Sequence, residues 1–502
     1  MSSLRAPRLI PERLLRRFWI EQSFPALNLQ TADGRPLNII LPGTPNRNSG
    51  PDFLGARIRI GDILYSGDVE LHRGCRDWRD HRHQKDPRYN SVILHVVLES
   101  GGLHRAQLTQ SGRPIPVLVL GRYLNGARRR GLKHSGRTVQ CEEPQPLRCR
   151  GLNSSVPSPL IRSWLTTLSE ERLELKVRRF GERMKELSRG RCLRAGFDPG
   201  VLSAISDHEE TPGSGRLADW EQLLYEGIME ALGYENNQAP FLRLARSCTL
   251  RILKRNFGAP PAFGTVLRFE AALFKISGFL GRQEISREKD TIHHIRLLRN
   301  LWKLSGERYS GELIRSTEWQ FFRMRPENFP TLRIAGAARL VSAFIRKNFF
   351  AHIVRIVGSS VLTPIQRYIA LERLFIVGAD GYWTSHYRFG EPASAPIKTL
   401  IGKGRAAEVI VNAVVPVSLL YARTFRDRNL EECVFALLEE CPPEHPNHIT
   451  TVISSQLVRK RFALDTARLQ QGALQLYNRY CTAGRCGECE VGKIVFRRVL
   501  PR

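Results

Sequence analysis

The chain of 502 residues carries 77 lysine and arginine residues against 48 aspartate and glutamate residues, a formal net charge of +29. With 42% hydrophobic and 25% charged residues it has the composition of a folded, water-soluble protein, which excludes a disordered chain or a collagen. No uninterrupted apolar run approaches the roughly 20 residues that span a bilayer. The N-terminus also lacks the apolar core of a secretory signal, so we expect a cytoplasmic protein without membrane contact.

The excess of positive charge is the first indication of function. Such a field attracts polyanions, and nucleic acid is the commonest polyanion in a cytoplasm. Nucleic acid is therefore the expected partner. The alternative is that many of the arginines only keep the surface soluble.

The first 125 residues have the pattern of an α/β domain. Apolar residues at near-helical spacing after Pro11 predict a helix that ends before Pro25. The segment Ser91–Glu99 is apolar on both faces, as a central buried strand should be. This apolar run, together with segments in which apolar and polar residues alternate, predicts five strands. They are Leu37–Leu41, Phe53–Ile60, Ile63–His72, Ser91–Glu99 and Ile115–Leu120.

A different pattern follows a basic, proline-containing connector at 126–158. The apolar period changes to about 3.6 residues, which predicts an all-α domain at 159–480 and an α+β protein overall. We expect a long helix from Leu160, a loop at 188–216 and a break at Pro416. Further helices are predicted at Leu217–Leu232, Phe241–Arg255, Glu270–Phe279, Ile292–Leu304, Arg333–Asn348, Pro364–Ile376, Ala406–Phe425, Glu431–Glu440 and Ile449–Tyr480.

Acidic residues are concentrated on one predicted hairpin. Asp68, Glu70 and His72 alternate along a strand and so share a face. Asp52 begins the preceding strand and can reach that face. Carboxylates crowded in this way repel one another unless a cation lies between them. Hard oxygen ligands on two strands suit Mg²⁺ or Mn²⁺.

This arrangement resembles the core of the PD-(D/E)XK nuclease superfamily. Asp52 follows a proline as in the first half of that signature, and Glu70 lies two residues before His72 as in the second half. The resemblance implies an α-β-β-β-α-β, restriction-endonuclease-like fold, with Glu21 as an additional carboxylate from the first helix. The lysine of the signature is replaced by His72, which, when neutral, supplies no fixed charge and can only accept a proton or bind metal.

Histidines form a second concentration directly after this hairpin. His81 and His83 are two residues apart, and can bind a transition metal together or contact a phosphate. Asp86 follows them, and His95 lies within the buried strand. A single buried histidine such as His95 is more often a hydrogen-bonded packing residue. For the cluster as a whole, function is favoured, because massed polar groups are costly beside a core strand.

The C-terminal tail at 481–502 contains three closely spaced cysteines, Cys481, Cys486 and Cys489. Glycines between them allow the tight turn around an ion, and the spacing is typical of zinc or iron–sulfur sites. A fourth ligand is needed, and the alternative is three reduced thiols that end a helix. The candidate fourth ligands are Cys75, Cys433, Cys441 and His448.

The whole chain is similar to a bacterial family known only as domain of unknown function 2851. This resemblance implies no activity. Its motifs are Asn48–Phe53, Gly67–His72, Asp77-Trp78 with His81, His83 and Asp86-Pro87, Tyr89–Val97, Arg325–Pro330 and Cys486–Cys489.

Arg325, with Arg323 and Arg333, is a candidate for a phosphate-binding groove in the helical domain. The alternative, which we favour, is that Arg325 and Arg333 cap or brace helices. The segment Gly402–Arg405 lacks the pattern of a nucleotide-binding loop, so no ATP hydrolysis is expected.

Two functions follow from these residues. In the first, a nuclease-like enzyme holds Mg²⁺ or Mn²⁺ on Asp52 and Glu70, assisted by Asp68 or Glu21, while His72 positions or deprotonates the attacking water. In the second, the chain is a non-catalytic nucleic-acid or ribonucleoprotein binding protein on a decayed nuclease scaffold. The net charge of +29 and the histidine in place of lysine are the reasons for considering this alternative.

Overall fold

A computed structural model describes residues 12–22, 24, 28–46, 50–101, 106–124, 147–194, 217–258, 265–281, 288–306, 309–321, 324–346, 348–444 and 446–496. The chain divides into two compact units, Met1–Glu143 and Pro144–Arg502. The first contains a mixed sheet and the second is mainly helical, which confirms the predicted order of an α/β region followed by a helical region. Most of the predicted connector lies outside the described residues.

The first unit is built on one six-stranded sheet. Its elements are α1 (Glu12–Glu21), β1 (Leu37–Leu41), β2 (Thr44–Pro45), β3 (Phe53–Ile60), β4 (Ile63–Gly74), the short helix α2 (Asp77–Asp80), β5 (Val92–Glu99) and β6 (Val117–Val119). The strand order is β1-β3-β4-β5-β6, with β2 beside β3. The pairs β1/β3 and β3/β4 are antiparallel, whereas β4/β5 and β5/β6 are parallel. The last predicted strand is shorter than expected, because the chain turns into a 3₁₀ helix at Leu120.

The core of this unit follows from the sequence pattern. Strand β5 is buried along seven of its eight residues, as its apolar composition predicts for a strand between two neighbours. Trp19 on α1 is fully buried and donates its indole N–H to the Pro42 carbonyl at 3.0 Å. Its ring also contacts Phe53 of β3, with the ring centroids 6.5 Å apart. Helix α1 therefore covers the sheet beside the start of β3.

The second unit is a helical body with a 37-residue helix, α3 (Ser158–Arg194). The predicted loop at 188–216 was wrong at its start, since α3 continues through Arg194, and 195–216 lie outside the described residues. The other helices are α4 (Leu217–Leu232), α5 (Tyr234–Ser247), α6 (Leu250–Phe257), α7 (Thr265–Ile276), α8 (Lys289–Ser305), α9 (Pro330–Arg346), α10 (Phe349–Val357), α11 (Pro364–Phe375), α12 (Lys403–Val409), α13 (Val415–Thr424), α14 (Arg428–Glu440), α15 (His448–Ile453), α16 (Ala467–Gln475) and α17 (Glu490–Val495).

The prediction that this region is all-α was wrong between residues 377 and 401. Glycine and proline break the helical pattern there, and Gly381 and Gly390 both have positive φ. The segment forms two small antiparallel sheets, in which β7 pairs with β10 and β8 with β9. These strands are β7 (Val377–Gly378), β8 (His386–Arg388), β9 (Glu391–Pro392) and β10 (Thr399–Ile401).

The break predicted at Pro416 is confirmed as a change of helix type. A π-helical segment, Ile410–Val414, separates α12 from α13, because the proline has no N–H for a regular helical bond. Lys403–Thr424 as a whole is long and apolar enough to cross a membrane, but 78% of its most apolar window is buried inside the unit. Packing in the core accounts for the apolar residues of Lys403–Thr424. The composition of this segment is therefore only weak support for a membrane span.

Gly67 provides a test of the β4/β5 pairing. A Cβ at this position would lie 2.4 Å from the Ser91 carbonyl oxygen and 2.5 Å from Ile93 Cγ2, so one of the strands would have to move. We expect Gly67→Ala to lower the free energy of unfolding by about 1–3 kcal/mol. Gly101→Ala is the matched control, because a Cβ there meets nothing within 4 Å. Denaturant unfolding measures both variants, and equal stabilities would contradict the described register.

Candidate metal centre

Three ligand-type atoms form a near-equilateral triangle beside strand β4. His72 Nε2 lies 3.3 Å from His83 Nε2, and each of these nitrogens lies 3.5 Å from Glu70 Oε1. All three side chains are buried. Zn–N and Zn–O bonds of about 2.0–2.2 Å place tetrahedral ligands roughly 3.3–3.5 Å apart. The triangle therefore has the size of one face of a metal coordination shell.

His81 extends this group toward solvent. Its Nδ1 lies 3.1 Å from His72 Nε2, and its side chain is exposed. The ligand atoms of His72, His81 and His83 all lie within 4.8 Å of one another. The group thus has three buried members and one member on the solvent side.

A left-handed residue brings the two loop histidines together. Arg82, between His81 and His83, has φ of 60°, a conformation that is uncommon for a residue other than glycine. His81 ends the short helix α2 and His83 begins the next 3₁₀ turn, so the change of direction falls between them. Strained backbone of this kind is concentrated at functional sites. It allows two residues only two positions apart to face the same point.

Aromatic rings fix the position of His83. Its ring stacks on Tyr89, with centroids 3.8 Å apart, and contacts Trp78 at 5.3 Å. Trp78 is fully buried and donates its indole N–H to the Leu108 carbonyl at 3.0 Å. The imidazole is therefore held by packing rather than free to rotate.

His95 supports His72 from behind. His95 Nε2 lies 2.9 Å from His72 Nδ1, the ring nitrogen that faces away from the triangle. With His72 Nε2 as a ligand, Nδ1 carries the proton and donates it to His95. Such a hydrogen bond fixes the tautomer and orientation of a metal-binding histidine. His95 is thus a positioning residue in this arrangement, and its other nitrogen has no partner among the described residues.

His72, His83 and His95 are neutral at physiological pH. Burial, followed by the neighbouring rings, holds the pKa of His72 far below 6.5. Burial likewise lowers the pKa of His83 to about 4 and that of His95 to about 3. Neutral imidazole is the form that binds a metal.

The structure gives Asp52 other partners. Asp52 Oδ2 accepts the backbone N–H of Leu71 at 3.0 Å, and Oδ1 forms an ion pair with Arg16. In return the backbone N–H of Asp52 donates to Glu70 Oε2 at 2.8 Å, which leaves Oε1 facing the imidazoles. Asp52 lies next to Glu70 and orients it, while both of its own oxygens are engaged.

Asp68 does not join the group either, although it is on the same strand as Glu70. The pairing of β4 with β5 shifts between Asp68 and Val69, and such an irregularity redirects the side chains on either side of it. Asp68 Oδ1 accepts the Gly55 N–H at 3.0 Å, and Oδ2 accepts from Ser91.

The remaining predicted site residues are not part of the triangle. Asp86 accepts the Arg88 N–H at 3.0 Å and forms an ion pair with its guanidinium. Arg325 is exposed before a 3₁₀ turn, whereas buried Arg333 braces the chain by donating to Asn328 Oδ1 at 2.8 Å. The side chain of Glu21 and all of Arg323 lie outside the described residues.

Comparison with known proteins gives one result. The family described as "Protein of unknown function (DUF2851)" matches residues 12–190 and 214–447. The chain belongs to this family. No curated protein and no solved structure matched it. The match covers the triangle residues together with most of the helical unit, and it assigns them no activity.

The geometry predicts a nitrogen-rich metal site. We expect the protein to bind Zn²⁺ or Co²⁺ at the triangle, and Co²⁺ bound there should show no thiolate charge-transfer band. Glu70→Gln and His83→Ala should weaken binding at this site by about 100-fold or more, since each removes a ligand and even a supporting residue of a metal ligand is worth about 10–100-fold. Titration by calorimetry and visible absorption measures both effects.

Two control variants make this prediction specific. His293→Ala removes an exposed imidazole on α8 of the second unit and should leave binding unchanged. Asp52→Asn should keep the affinity within about tenfold but lower the free energy of unfolding by about 1–3 kcal/mol, because Arg16 loses a charged partner. If Asp52→Asn abolished binding while His83→Ala did not, the ligands would be the carboxylates rather than the imidazoles.

Proposed function

We propose that the first unit is a metal-dependent phosphodiesterase acting on nucleic acid. The observation that carries this proposal is the triangle of Glu70 Oε1, His72 Nε2 and His83 Nε2, with edges of 3.3 to 3.5 Å. Two histidines and one glutamate are also the protein ligands of several catalytic zinc sites, which keep a further position open. Imidazole ligands favour Zn²⁺ or a similar transition metal over Mg²⁺.

The charge around the triangle favours a phosphate substrate. Residues 73–88, which carry both loop histidines, contain six cationic residues and three aspartates. Two of the aspartates, Asp77 and Asp86, are engaged by backbone N–H groups. The exposed cations are Arg76, Arg79, Arg82, Lys85 and Arg88. A cationic rim beside a metal site binds and concentrates a polyanion.

The order of elements is a second support for this reaction class. Apart from the two-residue strand β2 and short 3₁₀ turns, a helix, three antiparallel strands (β1, β3 and β4), the short helix α2 and the parallel strand β5 follow one another along the chain. This sequence of elements is compatible with the α-β-β-β-α-β order that the nuclease superfamily resemblance implies. Asp52 lies directly before β3 and Glu70 lies in the second half of β4, as that resemblance would require of its two carboxylates.

The roles of the residues follow from their positions. Glu70, His72 and His83 would hold the metal, and Asp52 and His95 fix the positions of two of these ligands. The metal would supply a Lewis acid and would lower the pKa of a bound water for attack on phosphorus. His81, on the solvent side, either completes the ligand set or takes the proton from the attacking water. The arginines of the rim position the phosphodiester.

The test is cleavage by the full chain of single-stranded, double-stranded and branched DNA and of RNA, with Zn²⁺, Mn²⁺ or Mg²⁺. We expect cleavage that Glu70→Gln lowers by at least about 100-fold, since it removes a metal ligand. His293→Ala should keep the wild-type rate. Cleavage at equal rates by wild type and Glu70→Gln would contradict the proposal.

Binding measurements separate the non-catalytic alternative. If the chain binds nucleic acid with an affinity that falls steeply with salt, but cleaves none of the substrates with any of the metals, it is a binding protein rather than an enzyme.

A further inference from the structure

A second group of ligand-type side chains lies in the helical unit, far along the sequence from the triangle. Four cysteines line one cavity of about 30 Å³. Three of them belong to the C-terminal group, and the fourth is Cys149, which the sequence analysis did not propose. They are Cys149, Cys481, Cys486 and Cys489. Between Cys149 and Cys481 lie more than 300 residues, so only the fold brings them together.

Hydrogen bonds hold the Cys149 turn against the C-terminal helices. The Leu147 N–H donates to Gln456 Oε1 at 2.8 Å, and Asn153 Nδ2 donates to the Gln456 carbonyl at 2.9 Å. Gln456 lies in the π-helical segment Ser454–Val458 and is buried. Cys149 is thus fixed between two anchored residues, four positions before Asn153 and two after Leu147.

Residues of the C-terminal tail line the same cavity. Cys481 ends a π-helical segment, and the Cys489 carbonyl accepts the Lys493 N–H of α17 at 2.8 Å. Gly484 has φ of +66°, which makes the tight turn between the first two cysteines. A Cβ on Gly492 would lie 2.1 Å from the Cys486 carbonyl oxygen, so only glycine fits there. The three cysteines therefore sit on backbone that is packed in one conformation.

Charge around the cavity suits a negatively charged centre. Arg148 and Arg485 both line it. The Arg148 guanidinium lies against the Gly484 turn, where a Cβ would meet its nitrogens at 3.1 Å. Four thiolates on a divalent ion carry a net charge of −2, and cluster sites are likewise anionic. The Arg148 guanidinium therefore suits an anionic centre, whereas the Arg485 guanidinium also pairs with Glu488.

The spacing of the sulfurs distinguishes the two kinds of centre. Thiolates on a tetrahedral zinc, with Zn–S bonds of about 2.3 Å, lie roughly 3.8 Å apart. Among the described residues, the four cysteines do not form a group whose ligand atoms all lie within 4.8 Å of one another. A cluster of several irons holds its thiolates farther apart, because the inorganic core lies between them.

We propose that Cys149, Cys481, Cys486 and Cys489 bind an iron–sulfur cluster that ties the C-terminal tail to the start of the helical unit. The site does not depend on the proposed phosphodiesterase activity. Its role is structural, since the bound cluster cross-links residues that are otherwise distant in the chain. Losing it should loosen α17 and the Cys149 turn before it affects the first unit.

The test is the composition of the full chain purified without oxygen after expression with iron. We expect about one cluster per chain, seen as iron and acid-labile sulfide in similar amounts and as visible absorption that bleaches on reduction. Cys149→Ser should lower iron and sulfide by about tenfold or more, because a cluster lacks one of four ligands. Cys433→Ser is the matched control, since Cys433 is also buried in the helical unit but does not line the cavity.

The iron, sulfide and zinc contents of these proteins distinguish a cluster, a zinc site and free thiols. Iron and sulfide in the wild type and in Cys433→Ser, with loss in Cys149→Ser, support the proposal. One zinc per chain without sulfide overturns the cluster, and a protein with neither metal and four titrating thiols overturns the site. If Cys149→Ser keeps its iron, another residue is the fourth ligand. The wild-type composition decides between cluster and zinc even if a variant fails to fold.

Discussion

The stability of the first unit depends on an arrangement in which one carboxylate oxygen and three imidazole nitrogens lie close together without repelling one another. A neutral imidazole has one N–H, so His72 Nε2 cannot satisfy His81, His83 and Glu70 at once through hydrogen bonds. A buried polar group without a partner is destabilising by about 1–3 kcal/mol. A cation at the centre removes this conflict, because it accepts a lone pair from every member of the group. In the proposed enzyme, the cation that stabilises this group would also activate the attacking water.

Surrounding features hold this group in place. The Asp52 N–H fixes one oxygen of Glu70, and His95 fixes the far nitrogen of His72. Tyr89 stacks on His83, while the left-handed turn at Arg82 aims the loop histidines inward. Each contact restricts the rotation of a ligand side chain. Less conformational freedom is therefore lost when a metal binds. A shell of this kind is what preorganisation requires.

Much of the first unit could be predicted from local pattern. Alternation and apolar runs indicated the main strands, and the two-residue period placed Glu70 and His72 on one face. The same rule failed for Asp68, because a shift in strand pairing is set by β5 and not by the sequence of β4 alone. No local pattern connected Glu70 with His81 and His83, since their proximity depends on the turn at Arg82. A non-glycine residue in the left-handed region leaves no clear signal in a single sequence.

The helical unit shows the same limit at longer range. Periodicity indicated its helices, but the small sheets between 377 and 401 form from segments of two or three residues, too short for any periodic signal. Cys149 was not among the predicted fourth ligands, because it is isolated in sequence from the C-terminal cysteines. Its closeness to Cys481 depends on hydrogen bonds to Gln456, which lies more than 300 residues later. Contacts of that kind are a property of the fold.

Anomalous diffraction from crystals grown with Zn²⁺ shows whether a metal binds at the triangle. We expect a zinc peak at bonding distance, about 2.0–2.2 Å, from Glu70 Oε1, His72 Nε2 and His83 Nε2. A zinc bound instead between the carboxylates of Asp52 and Asp68, or no peak in the first unit of a fully loaded crystal, would contradict it.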